Sequence, residues 1–455
     1  MAATTMTMTK IAKSKSVTVS RSMRIQSVSK CAPADSERTV SAEETLTRAS
    51  QAAGAFGVTR LADITGLDRL GIPVYTAVVP KSDDTISVYN GKGIRPVEAK
   101  TGALMEAIER QTALRVLLTT AEGNFRELRR GRLAVADPQS FNQKLRDSYD
   151  QDRSYLWTEV YDLIANEPVL VPAGLVGYGP RYRKDRSPFQ LNSSNGLASG
   201  NCFEEAVCHA LCELVERDAF TLAELRSEWI PRARREAEFG AQAGAEGWDD
   251  PSACPRIDLT AAGAPFPDLL ASFEQAGLRP VVRDTTSDLG VCCAIASTAD
   301  DSLPGFPQAH GGMGAHPNAR IAVVRALTEL AQSRVVDIQG VREDIIPAGA
   351  AAKASSRHMQ RVQKIEPRRW TFQQSGCLRP FGEMPSFQSD DIAEDIRLIL
   401  SRLAAQGMER VLVADLSEPG GFSVVRVMVP GLEFWGLDRG KIGPRALQFW
   451  HRHAG

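Results

Sequence analysis

The sequence predicts an α+β fold in which β-sheets pack against long helices and related helix-bearing units recur along the chain. Short β-branched segments bounded by Gly and Pro alternate with much longer segments of helical periodicity. Three of the long helical segments also share one spacing of Ala and acidic residues. A chain of 455 residues, 43% of them hydrophobic, is long enough to bury the large core that such a fold requires.

The predicted helices and strands follow one another from residue 43 onward. Gly66, Gly71 and Pro73 mark turns between short strands, and a continuous helical period then runs from 97 to 118. Further helices are expected at 43–53, 203–225, 269–276, 318–335 and 390–406. Further strands are expected at 156–178, 279–283, 291–297, 411–417 and 422–433. Together these elements form one predicted domain, 46–440.

Three kinds of segment fall outside the predicted core. Residues 1–45 begin with a basic, Ser- and Thr-rich stretch that lacks a secretory apolar segment, which predicts a disordered tail. A low density of apolar residues predicts a mobile insertion near 228–255, and a second one is expected near 348–384. Residues 441–455 are predicted to form a C-terminal extension.

Composition argues against several classes of function. The formal net charge of −1 gives no whole-chain field that would attract nucleic acid or a membrane surface, and no apolar run is long enough to span a bilayer. The eight cysteines include no C-x2-C pair, which predicts reduced thiols in a cytoplasmic protein. Cys208 and Cys212 flank His209 on a predicted helix, and their apolar neighbours favour burial in the core over a metal site.

The three strongest helices carry the same pattern of small and acidic residues. In each, one Ala is followed by a second Ala after four residues, by Glu after three more, and by Glu or Gln after a further three. An Arg follows at once in the first two helices, as Arg110 and Arg217, whereas Arg334 lies two residues beyond the pattern in the third. The patterns are Ala99, Ala103, Glu106, Glu109, then Ala206, Ala210, Glu213, Glu216, then Ala322, Ala326, Glu329, Gln332.

This spacing places the small residues and the acids on one face of each helix. The acids stand among apolar neighbours, where two unpaired carboxylates would repel each other and lose their hydration. Mg²⁺ is a hard cation that suits such oxygen ligands, and the candidate ligands are Glu106, Glu109, Glu213 and Glu216. A structural network in which Arg110 and Arg217 supply the positive charge fits the same pattern, so both interpretations stay open at this point.

A glycine-bearing segment precedes each of these helices, at 90–93, 194–201 and 310–318. Glycine lets the backbone approach a phosphate, and the amides at a helix N-terminus favour anions. Lys92 adds a positive charge to the first segment. None of the three is a Walker A or G-x-G-x-x-G motif, and a plain turn is the alternative.

Four separated blocks of the sequence agree in residue type and order with the YcaO family. They are GVTRLADITGLDRLGIPV, NGKG followed by A-x6-E-x2-ER, NSSNGLASGN with EEAVCHALCELVERDA, and GAHPNARIAVVRALTELAQSR. From about residue 58 to residue 433 the chain therefore resembles this family. The resemblance implies a YcaO-type ATP-binding fold, with mixed or antiparallel sheets packed against long helices, and the cofactors ATP and Mg²⁺.

The resemblance also implies an activity. Members of the family use ATP, through magnesium held by glutamates, to phosphorylate the oxygen of a peptide backbone amide after a nucleophile has added. A Cys, Ser or Thr nucleophile gives an azoline, and sulfide gives a thioamide. By position, the metal ligands would be Glu106, Glu109, Glu213 and Glu216. The nucleotide-binding residues would be Ser87, Lys92, Asn201, Arg217, Gln332 and Arg60, and the catalytic residues would be Arg217 and Lys92.

The C-terminal sequence favours one subgroup of this family. Azoline-forming members typically end in a Pro-rich run, whereas this chain ends GLDRGKIGPRALQFWHRHAG. The block TRLADITGLDRLGIPV and the later VVRVMVPGLE look most like members encoded with a TfuA partner, which make thioamides. The expected partners are a peptide or protein substrate, a TfuA-like protein, a sulfide donor and a second copy of the chain. An azoline-forming cyclodehydratase and a non-catalytic ATP-binding accessory protein are the alternatives.

The third helix departs from the other two because Gln332 replaces the second acid. Gln supplies no negative charge, so this helix is expected to contact the nucleotide or to brace the site. Loss of Glu213 or Glu216 should then reduce activity more than Gln332→Ala.

Overall fold

The computed structural model describes most of the chain. The described residues are 23–31, 37–84, 86–116, 118, 120–131, 133–141, 149–179, 193–240, 249–300, 308–340, 369–435 and 442–454. Parts of both predicted insertions, 241–248 and 348–368, lie outside them.

Three β-sheets organise the fold. The first is antiparallel, in the order β1 (Arg60–Asp63), β2 (Val74–Val78), β3 (Val88–Lys92). The second has the order β12 (Gln308–Ala315), β11 (Cys293–Asp300), β10 (Val281–Asp284), β9 (Arg256–Asp258), β13 (Leu378–Pro380). The third has the order β5 (Ala134–Val135), β7 (Glu167–Pro172), β6 (Tyr155–Asp162), β14 (Leu412–Asp415), β15 (Ser423–Met428), β8 (Leu197–Gly200), and β4 (Thr120–Gly123) pairs with β6.

The helices of the described residues are α1 (Ala42–Ala53), α2 (Pro96–Arg115), α3 (Phe125–Leu128), α4 (Ala173–Val176), α5 (Phe203–Glu224), α6 (Ile230–Phe239), α7 (Phe266–Gln275), α8 (Ala319–Gly340), α9 (Ile392–Ala405) and α10 (Pro444–His453). Of these, the long helices α2, α5 and α8 pack directly on strands of the sheets. A π-helical turn, Leu225–Trp229, joins α5 to α6. Within the described part of the chain, no helix has the length and apolar character needed to cross a membrane.

Each sheet ends in a strand that leads directly into one of the three patterned helices. The first sheet ends in β3, which precedes α2; the third ends in β8, which precedes α5; and the second ends in β12, which precedes α8. The predicted helix-bearing units are thus strand-and-helix units, one for each sheet. Parallel pairs, β9 with β13 and β5 with β7, occur beside antiparallel ones, as expected for mixed sheets.

Glycines in these terminal strands allow the following helix to lie directly on the strand backbone. A Cβ on Gly91 would fall 2.0 Å from the carbonyl oxygen of Ala99, and a Cβ on Gly314 would fall 2.0 Å from that of Ala322. Ala99 and Ala322 begin the patterns of their helices, and both are fully buried. The close approach predicted for the Ala stripe is confirmed. The first and third glycine segments form strands and not the predicted turns. Their glycines are needed because the following helix lies directly on the strand backbone.

Helix α5 lies at the centre of the molecule. It packs on β8 and β15 of the third sheet and on α9, and it also reaches β11 and β12 of the second sheet. Cys208 and Cys212 are buried in this core, as expected from their apolar neighbours. The acids that follow them on α5 therefore face the space where the three units meet.

The segment before α1 is more ordered than the predicted tail. Lys30 Nζ forms a buried ion pair with Asp395 on α9 at 2.6 Å, and Glu37 binds Arg325 on α8. The backbone N–H of Thr39 donates to Glu205 on α5 at 2.5 Å. These polar anchors explain the difference, because a hydropathy pattern does not register them. Residues 1–22 lie outside the described residues.

The described parts of the predicted insertions also pack on the domain. Glu228 Oε2 accepts a hydrogen bond from Arg369 Nε at 3.0 Å, and Cys254 and Trp370 are fully buried. Ion pairs here replace the apolar contacts that the sequence lacks. Mobility stays a prediction for 241–248 and 348–368.

The predicted C-terminal extension contains α10. Glu433 accepts hydrogen bonds from the backbone N–H groups of Gly443 and Ala446, at 2.8 and 2.9 Å, and so caps the N-terminus of this helix. Arg445 on α10 forms hydrogen bonds of 2.9 to 3.1 Å with Asp218 on α5. The extension is thereby tied to the central helix.

Arg334 shows that the arginine of the third pattern has a structural role. It is buried, with hydrogen bonds to Asp68 of 2.7 and 3.1 Å and to Asp300 of 3.2 Å. Arg334→Met should lower the free energy of unfolding by about 3 kcal/mol, because it removes the cation that pairs with the buried Asp68, whereas Asp300 keeps its ion pair with Arg69. Chemical denaturation would measure this loss. Arg397→Met, at an exposed position on α9, should change stability by less than about 0.5 kcal/mol.

Candidate active site

The three units bring the first acid of each pattern to one place. Each of these glutamates accepts a hydrogen bond from a backbone N–H of the strand region before its own helix. Glu106 accepts from Asn90 at 2.9 Å, Glu213 from Gly196 at 3.3 Å, and Glu329 from Met313 at 3.3 Å. The repetition of this bond shows that the units are equivalent in structure as well as in sequence.

Glu329 is a site residue that the predicted ligand set left out. It forms an ion pair with Lys92 from β3, and its charge acts on Glu216. Its signal was present in the sequence, because Glu329 occupies the position of Glu106 and Glu213 in the shared pattern. Because Gln332 replaces the second acid, the third helix lacks the acid pair on which the predicted ligand set was based.

The second acid of each pair lies deeper than the first. The side chains of Glu109 and Glu216 are 12% and 11% exposed, against 31% and 23% for Glu106 and Glu213. Burial raises the pKa of Glu109 to about 8, with repulsion from Glu106 and Glu213 adding to the rise. Burial likewise raises the pKa of Glu216 to about 7, with repulsion from Glu329 and Glu213. If Glu109 and Glu216 are also ionised, the site carries more buried negative charge than its own cations neutralise, and burial opposes that state.

Two arginines lie among these acids. Arg110 is 3.5 Å from Glu106 and 3.9 Å from Glu109, and Arg217 is 3.7 Å from Glu213 and 3.6 Å from Glu216. These distances exceed those of good hydrogen bonds, and Arg110 Nε is buried without a hydrogen-bond partner. The arginines attract the carboxylates without saturating them. A purely structural ion network would be expected to close more tightly.

Gln332 and Lys92 connect the first and third units. Gln332 Nε2 donates to the carbonyl oxygen of Asn90 at 2.9 Å, and Lys92 pairs with Glu329. Gln332 thus braces the site, which is one of the two roles expected for it. Lys92 lies beside the acids, and its contact with a phosphate stays a prediction.

In the described contacts, the predicted nucleotide-binding residues Asn201, Ser87 and Arg60 are not joined to the site glutamates. The amide of Asn201 donates to Thr45 and Glu205 and accepts from Arg48 at 3.1 Å. Ser87 is exposed just before β3, and Arg60 is exposed on β1. Contact of Asn201, Ser87 or Arg60 with a nucleotide stays a prediction.

The donor set fits magnesium and the phosphates of a nucleotide. Mg²⁺ takes carboxylate oxygens, usually one or two from the protein, and completes its shell with water and phosphate. The five glutamates supply such oxygens, and among the described residues no three of these carboxylates approach within 4.8 Å of one another as a closed cage would. Bound magnesium would neutralise the acids and the charge on a transferring phosphoryl group. That Glu106, Glu109, Glu213 and Glu216 would hold the ion stays a prediction.

A second group of potential ligands is better explained by the core. Ligand atoms of Cys208, Cys212 and His316 lie within 4.8 Å of one another, and all three residues are buried. His316 Nδ1 accepts a hydrogen bond from the Asn318 N–H at 3.0 Å, so the proton of the neutral ring is on Nε2. Burial lowers the pKa of His316 to about 3, which keeps the ring neutral. A ring in this tautomer has no free lone pair for a metal.

The raised pKa values predict how stability depends on pH without metal. The folded pKa of Glu109 is about 8 and that of Glu216 about 7, against the usual 4.5, so the folded protein holds protons that the unfolded chain has lost. Stability in EDTA should therefore fall by several kcal/mol, on the order of 5, between pH 5 and pH 8. Thermal unfolding at several pH values would measure it. Glu109→Gln should flatten this dependence, and an equally steep curve for that variant would contradict the assignment.

Comparison with known proteins identifies the family. A family model for the ATP- and Mg²⁺-binding YcaO cyclodehydratases matches residues 90–433. An uncharacterized protein from the tfuA 3′ region of Rhizobium leguminosarum bv. trifolii is 35% identical over 385 residues, which cover 83% of this chain and 84% of the relative. The resemblance predicted from the sequence is confirmed, as is the use of ATP and Mg²⁺ by the family.

Solved structures of low sequence identity share the fold. YcaO from Methanopyrus kandleri, bound with AMPPCP and Mg²⁺, gives a TM-score of 0.64 at 23% identity, over 90% of this chain and 95% of that one. A heterocyclase in complex with substrate and cofactor gives a TM-score of 0.69 at 22% identity, over 91% of this chain, which spans 54% of the heterocyclase. The predicted YcaO-type α+β fold is confirmed. Because the family model matches most of its length, this chain belongs to the YcaO family.

Proposed function

We propose that this protein uses ATP and Mg²⁺ to phosphorylate the oxygen of a peptide backbone amide, and that it does so to form a thioamide together with a TfuA-type partner. The observation that carries the proposal is the meeting of two E-x2-E-R helices in one partly buried site whose acids lack enough positive charge. Such a site suits magnesium-bound phosphates far better than it suits a substrate acid.

The chemistry of the site supports amide activation. An amide oxygen is a poor leaving group, and its phosphorylation turns it into phosphate, which leaves readily. Sulfide adds to the carbonyl carbon, the oxygen takes the γ-phosphoryl group of ATP, and loss of phosphate gives the thioamide with ADP and phosphate as by-products. Arg217, which is 24% exposed and loosely held, is suited to contact the phosphoryl oxygens.

The genetic setting of a relative supports the thioamide product. The protein from the tfuA 3′ region of Rhizobium leguminosarum aligns with 83% of this chain at 35% identity. A TfuA-type protein is therefore the partner we propose for delivery of sulfide or of the peptide.

Cyclodehydration is the second candidate, because the family model is that of cyclodehydratases. Mass spectrometry distinguishes the two after incubation of the protein with its TfuA-type partner, a substrate peptide encoded nearby, ATP, Mg²⁺ and sulfide. Thioamide formation should raise the peptide mass by the difference between sulfur and oxygen. Loss of one water from a Cys, Ser or Thr peptide would favour the azoline.

A matched reaction tests whether the chain is a catalyst at all. Omission of ATP or of Mg²⁺ should leave the peptide unchanged, and phosphate release should depend on the peptide. If the peptide mass never changes although the chain binds ATP, the protein is an accessory nucleotide-binding protein and the proposal fails.

A further inference from the structure

The arginines of the two E-x2-E-R patterns occupy equivalent positions in different surroundings. Arg217 is held by the acids of its own helix and lies 3.8 Å from the sulfur of Met313. Arg110 also lies beside the acids of its own helix, and in addition it contacts Asp84 and Tyr178 from other parts of the chain. Arg110 therefore has a second, hydrogen-bonded set of partners, whereas the further groups beside Arg217 are the Met313 sulfur and the charge of Glu329.

Asp84 and Tyr178 form a hydrogen-bonded pair around the guanidinium of Arg110. The Tyr178 hydroxyl donates to Asp84 Oδ1 at 2.8 Å and accepts a hydrogen bond from Arg110 Nη1. The guanidinium carbon lies 5.4 Å from the centre of the Tyr178 ring, within the range of a cation–π contact. Asp84 Oδ2 is 3.8 Å from Arg110 Nη1, and its side chain is 2% exposed.

The loop that carries Asp84 is fixed on α2 by the neighbour of Arg110. Gln111 Nε2 donates to Ser82 Oγ at 2.8 Å and to the Tyr89 hydroxyl at 3.0 Å. Tyr89 in turn donates to Asp84 Oδ2 at 3.3 Å. Asp84 is therefore held at a set distance from Arg110 by contacts that do not involve the glutamates.

Magnesium and Arg110 would compete for the same carboxylates. Glu106 and Glu109 attract Arg110, and the same two acids are placed to hold the ion. A cation bound there weakens the hold of the glutamates on the guanidinium, which stays charged at every relevant pH and is largely buried. A second anion is needed to keep that charge in place, and Asp84 lies where one is required.

We propose that Asp84 and Tyr178 are positioning residues that retain Arg110 when Glu106 and Glu109 take up magnesium, and that they thereby set the affinity of the protein for the ion. This inference rests on the proposed function. Without the Asp84 charge or the Tyr178 hydroxyl, Arg110 turns fully to the glutamates and magnesium binds less tightly. In the first E-x2-E-R pattern the arginine that competes with magnesium is thus restrained by Asp84 and Tyr178. In the second pattern Arg217 lies beside Glu213 and Glu216, and among the described residues it has no such Asp–Tyr pair.

A magnesium titration of folded protein tests this directly. Purified full-length chain is mixed with a fixed concentration of a non-hydrolysable ATP analogue, and the rise in Tm is followed as MgCl2 is added. Tyr178→Phe and Asp84→Asn should each raise the magnesium concentration at half-maximal shift by about fivefold or more. Tyr178→Phe changes no charge and removes the hydroxyl that contacts Arg110 and Asp84, while it keeps the ring that lies 6.0 Å from the Arg426 guanidinium.

Matched variants separate this role from a general loss of structure. Asp83→Asn, at the exposed neighbouring acid, should leave the half-maximal concentration unchanged. In a background of Arg110→Met, Tyr178→Phe should produce no further shift, because the competitor has been removed. A midpoint that is unchanged or lower in Tyr178→Phe, in a protein whose metal-free Tm is that of the parent, overturns the inference.

The same titration distinguishes failure of the inference from failure of the proposed function. If the unsubstituted protein shows no magnesium-dependent shift with the ATP analogue, the nucleotide site itself is wrong. If it shows the shift and Tyr178→Phe matches it, only the role of Asp84 and Tyr178 is wrong.

Discussion

Glu109→Gln and Glu216→Gln should each lower ATP-dependent turnover by about a hundredfold or more while making the metal-free protein more stable at pH 8. Both residues are buried acids with raised pKa values, and Gln keeps their shape without their charge. The gain in the free energy of unfolding should be roughly 1–3 kcal/mol at pH 8. Phosphate release and chemical denaturation of the same preparations measure the two effects.

The opposite direction of these effects makes the prediction specific. Substitution of a core residue that serves only the fold should lower activity and stability together. Substitution of a metal ligand whose charge destabilises the fold should lower activity alone. Glu409→Gln, at an exposed position, should change neither quantity. Gln332→Ala should reduce turnover less than either glutamate variant, since Gln332 braces Asn90 and carries no charge. Loss of stability at pH 8 in Glu109→Gln would contradict the assignment.

Gly314→Ala should destabilise the protein by about 3 kcal/mol or more and remove magnesium-dependent binding of ATP. The added methyl group would lie 2.0 Å from the Ala322 carbonyl oxygen and 2.8 Å from the Ala326 amide nitrogen, both in the backbone of α8. Neither atom can move away without displacing the helix from β12. Denaturant unfolding and calorimetric titration with the ATP analogue and Mg²⁺ would measure both losses.

Gly54→Ala is the matched control for this substitution. Gly54 has φ of −60°, and a Cβ there would meet no atom within 4 Å. Alanine should therefore leave stability unchanged or raise it by up to about 0.5 kcal/mol, because it restricts the unfolded chain. If Gly54→Ala and Gly314→Ala unfold alike, the close packing of strand on helix is not what requires Gly314.

The repeated pattern of small and acidic residues made the centre of the fold predictable. Ala99 and Ala322 indicated a helix face that another element approaches closely, and the structure places glycine-containing strands there. The spacing of Glu106 and Glu109 predicted two acids on one face, which is a local property of a helix. These inferences succeeded because each depends on residues within a few turns of one another.

Contacts between distant segments could not be predicted in the same way. The ion pairs of Lys30 with Asp395 and of Arg369 with Glu228 join segments whose low apolar content indicated a tail and insertions. Polar side chains at single positions carry no periodicity, so their partners are visible only after folding. Asn201 illustrates the same limit, because its amide contacts Thr45 and Arg48 on α1, which no motif near Asn201 records.

The site depends on all three sheets, because each patterned helix follows the terminal strand of a different sheet. Its acids come from helices that begin at residues 96, 203 and 319, and each helix is placed by a different sheet. No fragment that lacks one sheet can hold all of these acids, so the site is among the last features to form as the chain acquires contacts of long sequence separation. A newly made chain that binds ATP has therefore already completed its tertiary structure, and retention on an ATP resin would select fully folded molecules from truncated ones.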